Sequence, residues 1–382
     1  QPAKSDLTTL RETETIKLHF SDTAGIVFHA KDASIETVFT EKGIAFQKIG
    51  KVVSEPTLSL KNGNVEMGLN VDSLRDIWFK TSYLLDDKQT ANGLARSRYN
   101  NYKLQPLQYN FPKFSVSVNS FPQGEDRDGA PKAAILREKG SNSEREMANA
   151  MYLAGFDVKD VHMTDLISGR ETLEDIQFLG AVGGFSNSDV LGSAKGWAGA
   201  IKYNAKANTV IQDFFARKDT LSIGICNGCQ LFMELDLVNP EHGEKHGKMT
   251  YNDSQKHESG FTSVKIGKNN SVMLSNLEGA TLGVWISHGE GKFRLPLSKD
   301  NYNIVAEYGY KGYPANPNGS DYNTAMLCDN TGRHLVTMPH IERSMFPWNW
   351  AHYPKNRKDT VSPWLEAFTN ARKWVEKTNA KN

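Results

Sequence analysis

The segment 221–233 constrains the fold more than any other part of the sequence. Residues 221–225 favour a short buried strand, which runs into Gly224-x-Cys226-x-Gly228 and then into an apolar segment with helical propensity. Glycines on both sides of the central residue permit a sharp turn from strand to helix, because no Cβ obstructs the strained backbone between them. The turn would lift the Cys226 sulfur clear of the sheet and set it at a helix N-terminus, where the macrodipole favours the reactive thiolate. The pattern therefore predicts a cysteine nucleophile, with a buried structural cysteine as the alternative.

Length and composition narrow the class of protein. A chain of 382 residues can form two or three domains and bury a large core. Its formal net charge of +1 gives no electrostatic case for binding nucleic acid or an anionic membrane. Three cysteines are too few for a disulfide framework, and the sequence has no run of about 18 apolar residues, so we expect neither a membrane span nor a signal peptide. We expect a cytoplasmic protein without nucleic-acid or membrane partners.

Changes in composition divide the chain into three parts. Residues 1–85 predict a small α/β module, in which residues 16–20 alternate as a half-buried strand and residues 71–85 form a helix. Residues 86–129 are rich in Asn, Gln, Tyr and Pro, which is typical of an extended linker that wraps a neighbouring surface. Residues 130–382 form the third part and contain the cysteine turn.

The third part begins with alternating strands and helices. Ser143 and Glu146 are spaced as a capping box at the start of the first helix. The alternation predicts an α/β fold with a mostly parallel sheet and right-handed crossovers, in which ligands bind at the carboxyl ends of the strands. Shorter strands follow residue 233. The chain closes with a helix at about 362–377, for which Ser362 is the predicted N-cap.

The remaining parts of a cysteine-nucleophile site are also present. A nucleophile needs a base, a group that orients the base, and donors for the oxyanion. In an extended segment residues i and i+2 face the same side, so His340 could take the thiol proton while Glu342 orients the imidazole. The loop that begins Gly183-Gly184-Phe185 could supply an oxyanion donor, the N–H of Gly184 or Phe185, together with the N–H of Asn227. A surface His-x-Glu and a plain Gly-Gly turn are the alternatives.

These motifs resemble class I glutamine amidotransferases, which have a Cys-His-Glu triad. More narrowly, the chain resembles the C-terminal glutaminase domain of the phosphoribosylformylglycinamidine synthases. The motifs that carry the narrower resemblance are Asn-Gly-Cys-Gln at 227–230, Ser-His-Gly-Glu-Gly at 287–291 and Pro-Ala-Asn-Pro-Asn-Gly-Ser at 314–320. Residues 1–120 more faintly resemble the end of an AIR synthase-like synthetase domain and its connecting segment. The resemblance implies a flavodoxin-like glutaminase preceded by a small module and a linker.

The resemblance also implies roles for particular residues. It assigns Cys226 as nucleophile, His340 as base and Glu342 as its orienting group, and it places Gln230 against the substrate glutamine. It implies a glutaminase without a cofactor or metal, which passes ammonia to synthetase domains of the same enzyme. ATP and Mg²⁺ belong to that synthetase portion.

Two departures from the family pattern affect this expectation. Ile341 stands where the family usually has Pro, and Ser188 stands where the oxyanion loop often has Gly. Gly tolerates a positive φ far better than Ser does.

Other interpretations remain open at this level. Cys226 and Cys229 form Cys-x-x-Cys, a possible redox pair or half of a zinc site, and His242, His246 and His257 lie in a loop that could bind a metal. An elbow-cysteine hydrolase or chaperone of the DJ-1/PfpI type would carry His where this chain has Asn227. A catalytically idle interaction domain is the third hypothesis.

Overall fold

The computed structural model describes residues 2–22, 24–104, 107–122 and 129–380. The chain divides into two compact units, Gln1–Lys88 and Gln89–Asn382. No helix in the described ranges is both long enough and apolar enough to cross a membrane.

The first unit is built on a four-stranded sheet of order β2-β1-β3-β4. Its elements are β1 (Ala3–Asp6), α1 (Thr15–His19), α2 (Ser34–Glu41), β2 (Gly50–Val52), β3 (Thr57–Asn62), β4 (Val65–Asn70) and α3 (Val71–Gln89). The predicted helix at 71–85 is confirmed as α3. The predicted strand at 16–20 is wrong, because the segment forms the short helix α1. Ile16 and Phe20 are 76% and 84% exposed, so their alternation with polar residues does not reflect a buried face.

The second unit contains a nine-stranded sheet. The strands of this unit are β5 (Lys132–Arg137), β6 (Asp157–His162), β7 (Phe178–Ala181), β8 (Leu221–Ile225), β9 (Lys248–Thr250), β10 (Glu258–Ile266), β11 (Thr281–His288), β12 (Lys292–Arg294), β13 (Ile304–Tyr308), β14 (Thr324–Cys328) and β15 (His334–Thr337). The large sheet has the order β11-β10-β13-β14-β15-β8-β7-β5-β6, and β9 pairs with β12 separately. Strands β15, β8, β7, β5 and β6 are parallel, while β11, β10, β13 and β14 extend the sheet in antiparallel pairs. The predicted α/β class is confirmed.

Seven helices are described in the second unit. They are α4 (Leu94–Asn100), α5 (Glu144–Leu153), α6 (Met163–Ser168), α7 (Lys195–Lys202), α8 (Ala205–Ala216), α9 (Asn227–Glu234) and α10 (Trp364–Asn379). The apolar face predicted for the last helix is buried: Trp364, Leu365, Phe368, Ala371 and Val375 are all 0% exposed. That helix begins two residues later than predicted, and the Ser362 hydroxyl accepts from the N–H of Trp364 at 3.2 Å.

The predicted capping box at Ser143 is not formed. Ser143 has φ = 68°, and its side chain makes no capping hydrogen bond to α5 within the described residues. Instead its hydroxyl accepts a hydrogen bond of 3.2 Å from the N–H of Gly183. The local sequence pattern is therefore overridden by a contact with a loop 40 residues away.

The predicted linker contains both helix and extended backbone. Helix α4 lies within it, whereas Asn110 pairs with Thr281 through backbone hydrogen bonds of 2.9 Å at the edge of the large sheet. The predicted boundary at residues 124–129 falls, except for Gly129, outside the described residues. The three-part division of the chain stays a prediction.

Candidate active site

Cys226 occupies the sharp turn that the two glycines predict. It lies between β8 and α9 with φ = 52° and ψ = −103°, a strained conformation for a residue with a side chain. A Cβ on Gly228 would lie 2.1 Å from the carbonyl oxygen of Ala181, and one on Gly224 would lie 2.5 Å from the carbonyl oxygen of Gly228. Both glycines are therefore needed for the close approach of the helix to the sheet. Cys226 is only 4% exposed, and its Sγ lies 3.5 Å from the carbonyl oxygen of Ser287, so the sulfur is less open to solvent than the turn alone predicts.

His340 and Glu342 follow the strand beside the cysteine. Strand β15 runs parallel to β8, with Thr337 opposite Ile225, so both segments leave the sheet at the same edge. Nδ1 of His340 lies 2.6 Å from Oε1 of Glu342, and both side chains are buried. The geometry differs from the expected extended segment, since Glu342 lies in a 3₁₀ turn that brings its carboxylate back to Nδ1 of the imidazole.

The electrostatics of this pair favour a charged imidazole. Burial lowers the pKa of His340, but the neighbouring Glu342 carboxylate and the charge and hydrogen bond of Cys226 raise it more, to about 10. An imidazolium next to a thiol at a helix N-terminus favours the thiolate–imidazolium ion pair. The same imidazolium can later donate its proton to a leaving amine.

The loop after β7 approaches the same point. An ideal Cβ on Gly183 would lie 2.9 Å from Cε1 of His340 and 3.5 Å from Cβ of Cys226, so the loop backbone borders both side chains. Of the predicted oxyanion donors, the N–H of Phe185 is already bonded to the carbonyl oxygen of Gly140 at 3.0 Å. The N–H of Gly184 has no acceptor among the described residues, and the N–H of Asn227 is at the first position of α9, where helices leave N–H groups unpaired. Gly184 and Asn227 are the better candidates.

The site has the parts needed to cleave an amide, and the sequence has matching relatives. A sequence profile of the CobB/CobQ-like glutamine amidotransferase domain matches residues 130–375. The chain belongs to this amidotransferase family. The probable phosphoribosylformylglycinamidine synthase, chloroplastic/mitochondrial, of Arabidopsis thaliana is 38% identical over 390 residues, which cover 94% of this chain and 27% of that protein. The Homo sapiens phosphoribosylformylglycinamidine synthase is 36% identical over 403 residues, which cover 95% of this chain and 29% of that protein.

This amidotransferase chain thus spans less than a third of the length of those two relatives. Among solved structures, PurLQS from Thermotoga maritima superposes with a TM-score of 0.50 at 22% identity, covering 65% of this chain and 99% of that one. This likeness supports the amidotransferase fold.

The two departures from the family pattern have local explanations in the amidotransferase domain. Ile341 is the first residue of the 3₁₀ turn after His340. Pro also suits this position, because the first residue of such a turn does not donate its N–H within the turn. Ser188 has φ = 57° and lies between Asn187 and Asp189, both at φ = 52°. The loop therefore keeps a left-handed conformation even though Ser replaces Gly.

Gln230 lies close to the cysteine but is engaged within the amidotransferase domain. Its Oε1 accepts from Nδ2 of Asn227 at 3.0 Å, and its Nε2 donates to the carbonyl oxygen of Glu290 at 2.8 Å. Oδ1 of Asn227 in turn accepts from the N–H of Ser186 at 3.1 Å. This network joins α9 to the loops that follow β7 and β11, while contact of Gln230 with glutamine stays a prediction.

The three histidines considered for a metal do not converge. His246 lies 3.8 Å from Asp236, and His242 packs edge-on against Tyr302, whereas His257 bonds Ser287 at 3.0 Å. Within the described ranges no group of three His, Cys, Asp or Glu residues could hold a metal ion. Cys229 is 0% exposed, and its burial raises the pKa of its thiol.

Sequence reasoning considered His257 only as a possible metal ligand and His288 only as part of a family motif, yet both residues border the site. The ring of His257 lies 5.8 Å from that of Phe185, next to the segment that carries Ser287. His288 is 2% exposed, and its burial, together with the charges of His340 and His257, lowers its pKa to about 3. His288 is therefore neutral. No local signal in the sequence brings His257 here, since β10 and β11 place it by pairing Glu258 with His288.

Proposed function

We propose that this chain hydrolyses L-glutamine through a thioester on Cys226. The arrangement that carries the proposal is the buried His340–Glu342 pair beside a strained cysteine at a helix N-terminus. A base, its orienting carboxylate and a nucleophile in contact are the requirements for covalent amide cleavage.

The proposed reaction begins with attack of the Cys226 thiolate on the side-chain amide carbon of glutamine. The carbonyl π electrons move to oxygen, where the N–H groups of Gly184 and Asn227 stabilise the oxyanion. The imidazolium of His340 gives its proton to the amide nitrogen, the C–N bond breaks and ammonia leaves. His340 then takes a proton from water, which attacks the γ-glutamyl thioester and releases glutamate and the thiolate.

We assign the ammonia to the reaction for which the relatives are named. In that reaction it would convert formylglycinamide ribonucleotide to formylglycinamidine ribonucleotide in purine biosynthesis, in the cytoplasm. ATP and Mg²⁺ would bind in synthetase domains of the same protein, and no residue of this chain is assigned to them. Support comes from 36–38% identity over nearly the whole chain to proteins of that name.

A glutamine-analogue diazoketone tests the proposal in the intact protein. We expect rapid covalent labelling of Cys226, protection by glutamine, and loss of labelling in Cys226→Ala. Glutamate release should accompany turnover, and the Cys229→Ala variant serves as the matched control. An idle interaction domain predicts no labelling at Cys226 and no glutamate release, and this result would refute the proposal.

A further inference from the structure

The segment 139–143 packs against the loop that carries the candidate oxyanion donor, the N–H of Gly184. Four hydrogen bonds join the two. Asn142 N–H donates to Gly183 O at 2.8 Å, Gly183 N–H to Ser143 Oγ at 3.2 Å, Phe185 N–H to Gly140 O at 3.0 Å, and Asn187 N–H to Lys139 O at 2.8 Å. The segment and the loop thus form a short two-stranded contact, with Ser141 opposite Gly184.

These bonds determine where the Gly184 N–H points. A trans peptide is planar, so its C=O and N–H bonds point in opposite directions. Gly183 O accepts from Asn142, which directs the N–H of Gly184 away from the segment 139–143. A Cβ on Gly184 would lie 2.5 Å from the Asn142 nitrogen, so the contact is too close for any other residue. The orientation of this donor is therefore set by the segment behind it.

Ser143 is the one member of the segment that acts on the loop through its side chain. It is 2% exposed and holds φ = 68°, which costs a residue with a side chain stability that Gly would not lose. Its Oγ lies 3.4 Å from the ideal Cβ position of Gly183, and Cε1 of His340 lies 2.9 Å from that same position. The hydroxyl thus fixes the peptide before Gly183, while Asn142 fixes the peptide after it.

We infer that Ser143 is a positioning residue for amide cleavage, whose hydroxyl holds Gly183 so that the Gly184 N–H meets the oxyanion. The inference rests on the proposed glutaminase function. It explains why a serine with capping-box spacing adopts a left-handed conformation and directs its hydroxyl to a distant loop instead of capping its own helix.

Two substitutions separate positioning from backbone strain. Ser143→Ala and Ser143→Gly both remove the hydroxyl, but Gly suits φ = 68° and Ala does not. We expect kcat for glutamine hydrolysis to fall about tenfold in both variants, a part of the ~10²–10³ lost when an oxyanion donor is removed altogether. KM should stay within about twofold, because the oxyanion forms only in the transition state. Ser168→Ala, which removes a hydroxyl bonded within α6, is the matched control with wild-type kinetics.

Two further readouts distinguish this role from a general loss of structure. Alkylation of Cys226 by iodoacetamide needs no oxyanion hole and should keep its wild-type rate in both variants. Inhibition by L-glutamic γ-semialdehyde, whose thiohemiacetal places an oxygen in the hole, should weaken by the same factor as kcat. Wild-type kcat in both variants, or a loss confined to Ser143→Ala, would overturn the positioning role alone. A wild-type protein that releases no glutamate would instead overturn the proposed function.

Discussion

Replacing Gly183 by Ala should misplace the proposed catalytic base, His340, without unfolding the protein. Gly183 does not have a left-handed φ, so Ala meets no backbone penalty there. Its Cβ, however, would lie 2.9 Å from Cε1 of His340, whereas carbon atoms in contact prefer about 3.5–4.0 Å. The imidazole must therefore move by roughly 0.5–1 Å. The new methyl group cannot shift away instead, because Oγ of Ser143 and Cβ of Cys226 lie only 3.4 and 3.5 Å from the same Cβ position.

The size of the effect follows from this displacement. A misplacement of about 1 Å can cost about 10²-fold in rate, so we expect kcat/KM for glutamine to fall roughly 30–100-fold. This corresponds to roughly 2–3 kcal/mol of transition-state stabilisation. Overpacking should lower the free energy of unfolding by about 1–3 kcal/mol.

The assay is steady-state glutamate release together with the rate of Cys226 alkylation by iodoacetamide. Both should fall in Gly183→Ala, because the imidazolium no longer pairs with the thiolate. Gly199→Ala is the matched control, because Gly199 lies inside α7 and the nearest atom to its ideal Cβ position, in the Tyr203 side chain, is 3.9 Å away. Ala should stabilise this helix by about 0.5–1 kcal/mol. Wild-type kcat/KM in Gly183→Ala would refute the packing argument.

Three other substitutions test the site. Glu342→Gln removes the charge that raises the pKa of His340, so the alkaline limit of glutaminase activity should move down from about pH 10 in a pH–rate profile. Because this pKa is raised on folding, the stabilisation from Glu342 is complete below about pH 6.5 and lost towards pH 10; chemical denaturation should show the wild-type advantage shrinking over that range. Ser188→Gly relieves a left-handed φ of 57° and should raise the free energy of unfolding by about 0.5–1 kcal/mol, measured by urea denaturation. Cys229→Ala should keep kcat within about twofold, because this fully buried thiol takes no part in the proposed reaction; a redox or zinc role would require the thiol, so a large loss of kcat would contradict the expectation.

Local patterns predicted those features that are determined within a few residues of the chain. The apolar face of α10 follows from its own periodicity, and the glycine-flanked cysteine turn follows from steric limits at Gly224 and Gly228. The alternation of strands and helices also predicted a mostly parallel sheet, and because the parallel strands β7 and β8 end together, Gly184 and Cys226 lie at one edge of it.

The features that the sequence predicted wrongly, or did not predict, depend on contacts between distant segments. Alternation at residues 16–20 predicted a strand, but burial needs a partner surface and Ile16 is 76% exposed. The left-handed φ of Ser143 and the bond from Phe185 N–H to Gly140 O arise from the contact of two loops about 45 residues apart. Neither leaves a signal in the local sequence.

The approximate placement of the candidate site residues and their precise alignment therefore have different origins. Strands β15, β8 and β7 are adjacent and parallel, and their registers align Thr337 with Ile225 and Gly224 with Ala181. Neighbouring strands lie about 4.8 Å apart, so this register alone places the proposed nucleophile one strand spacing from the proposed base on one side and from the oxyanion loop on the other. Catalysis needs alignment several-fold finer than that spacing. In this chain the finer alignment comes from loop contacts, above all the bonds of Asn142 and Ser143 to Gly183, so substitutions in the segment 139–143 should change turnover more than they change the fold.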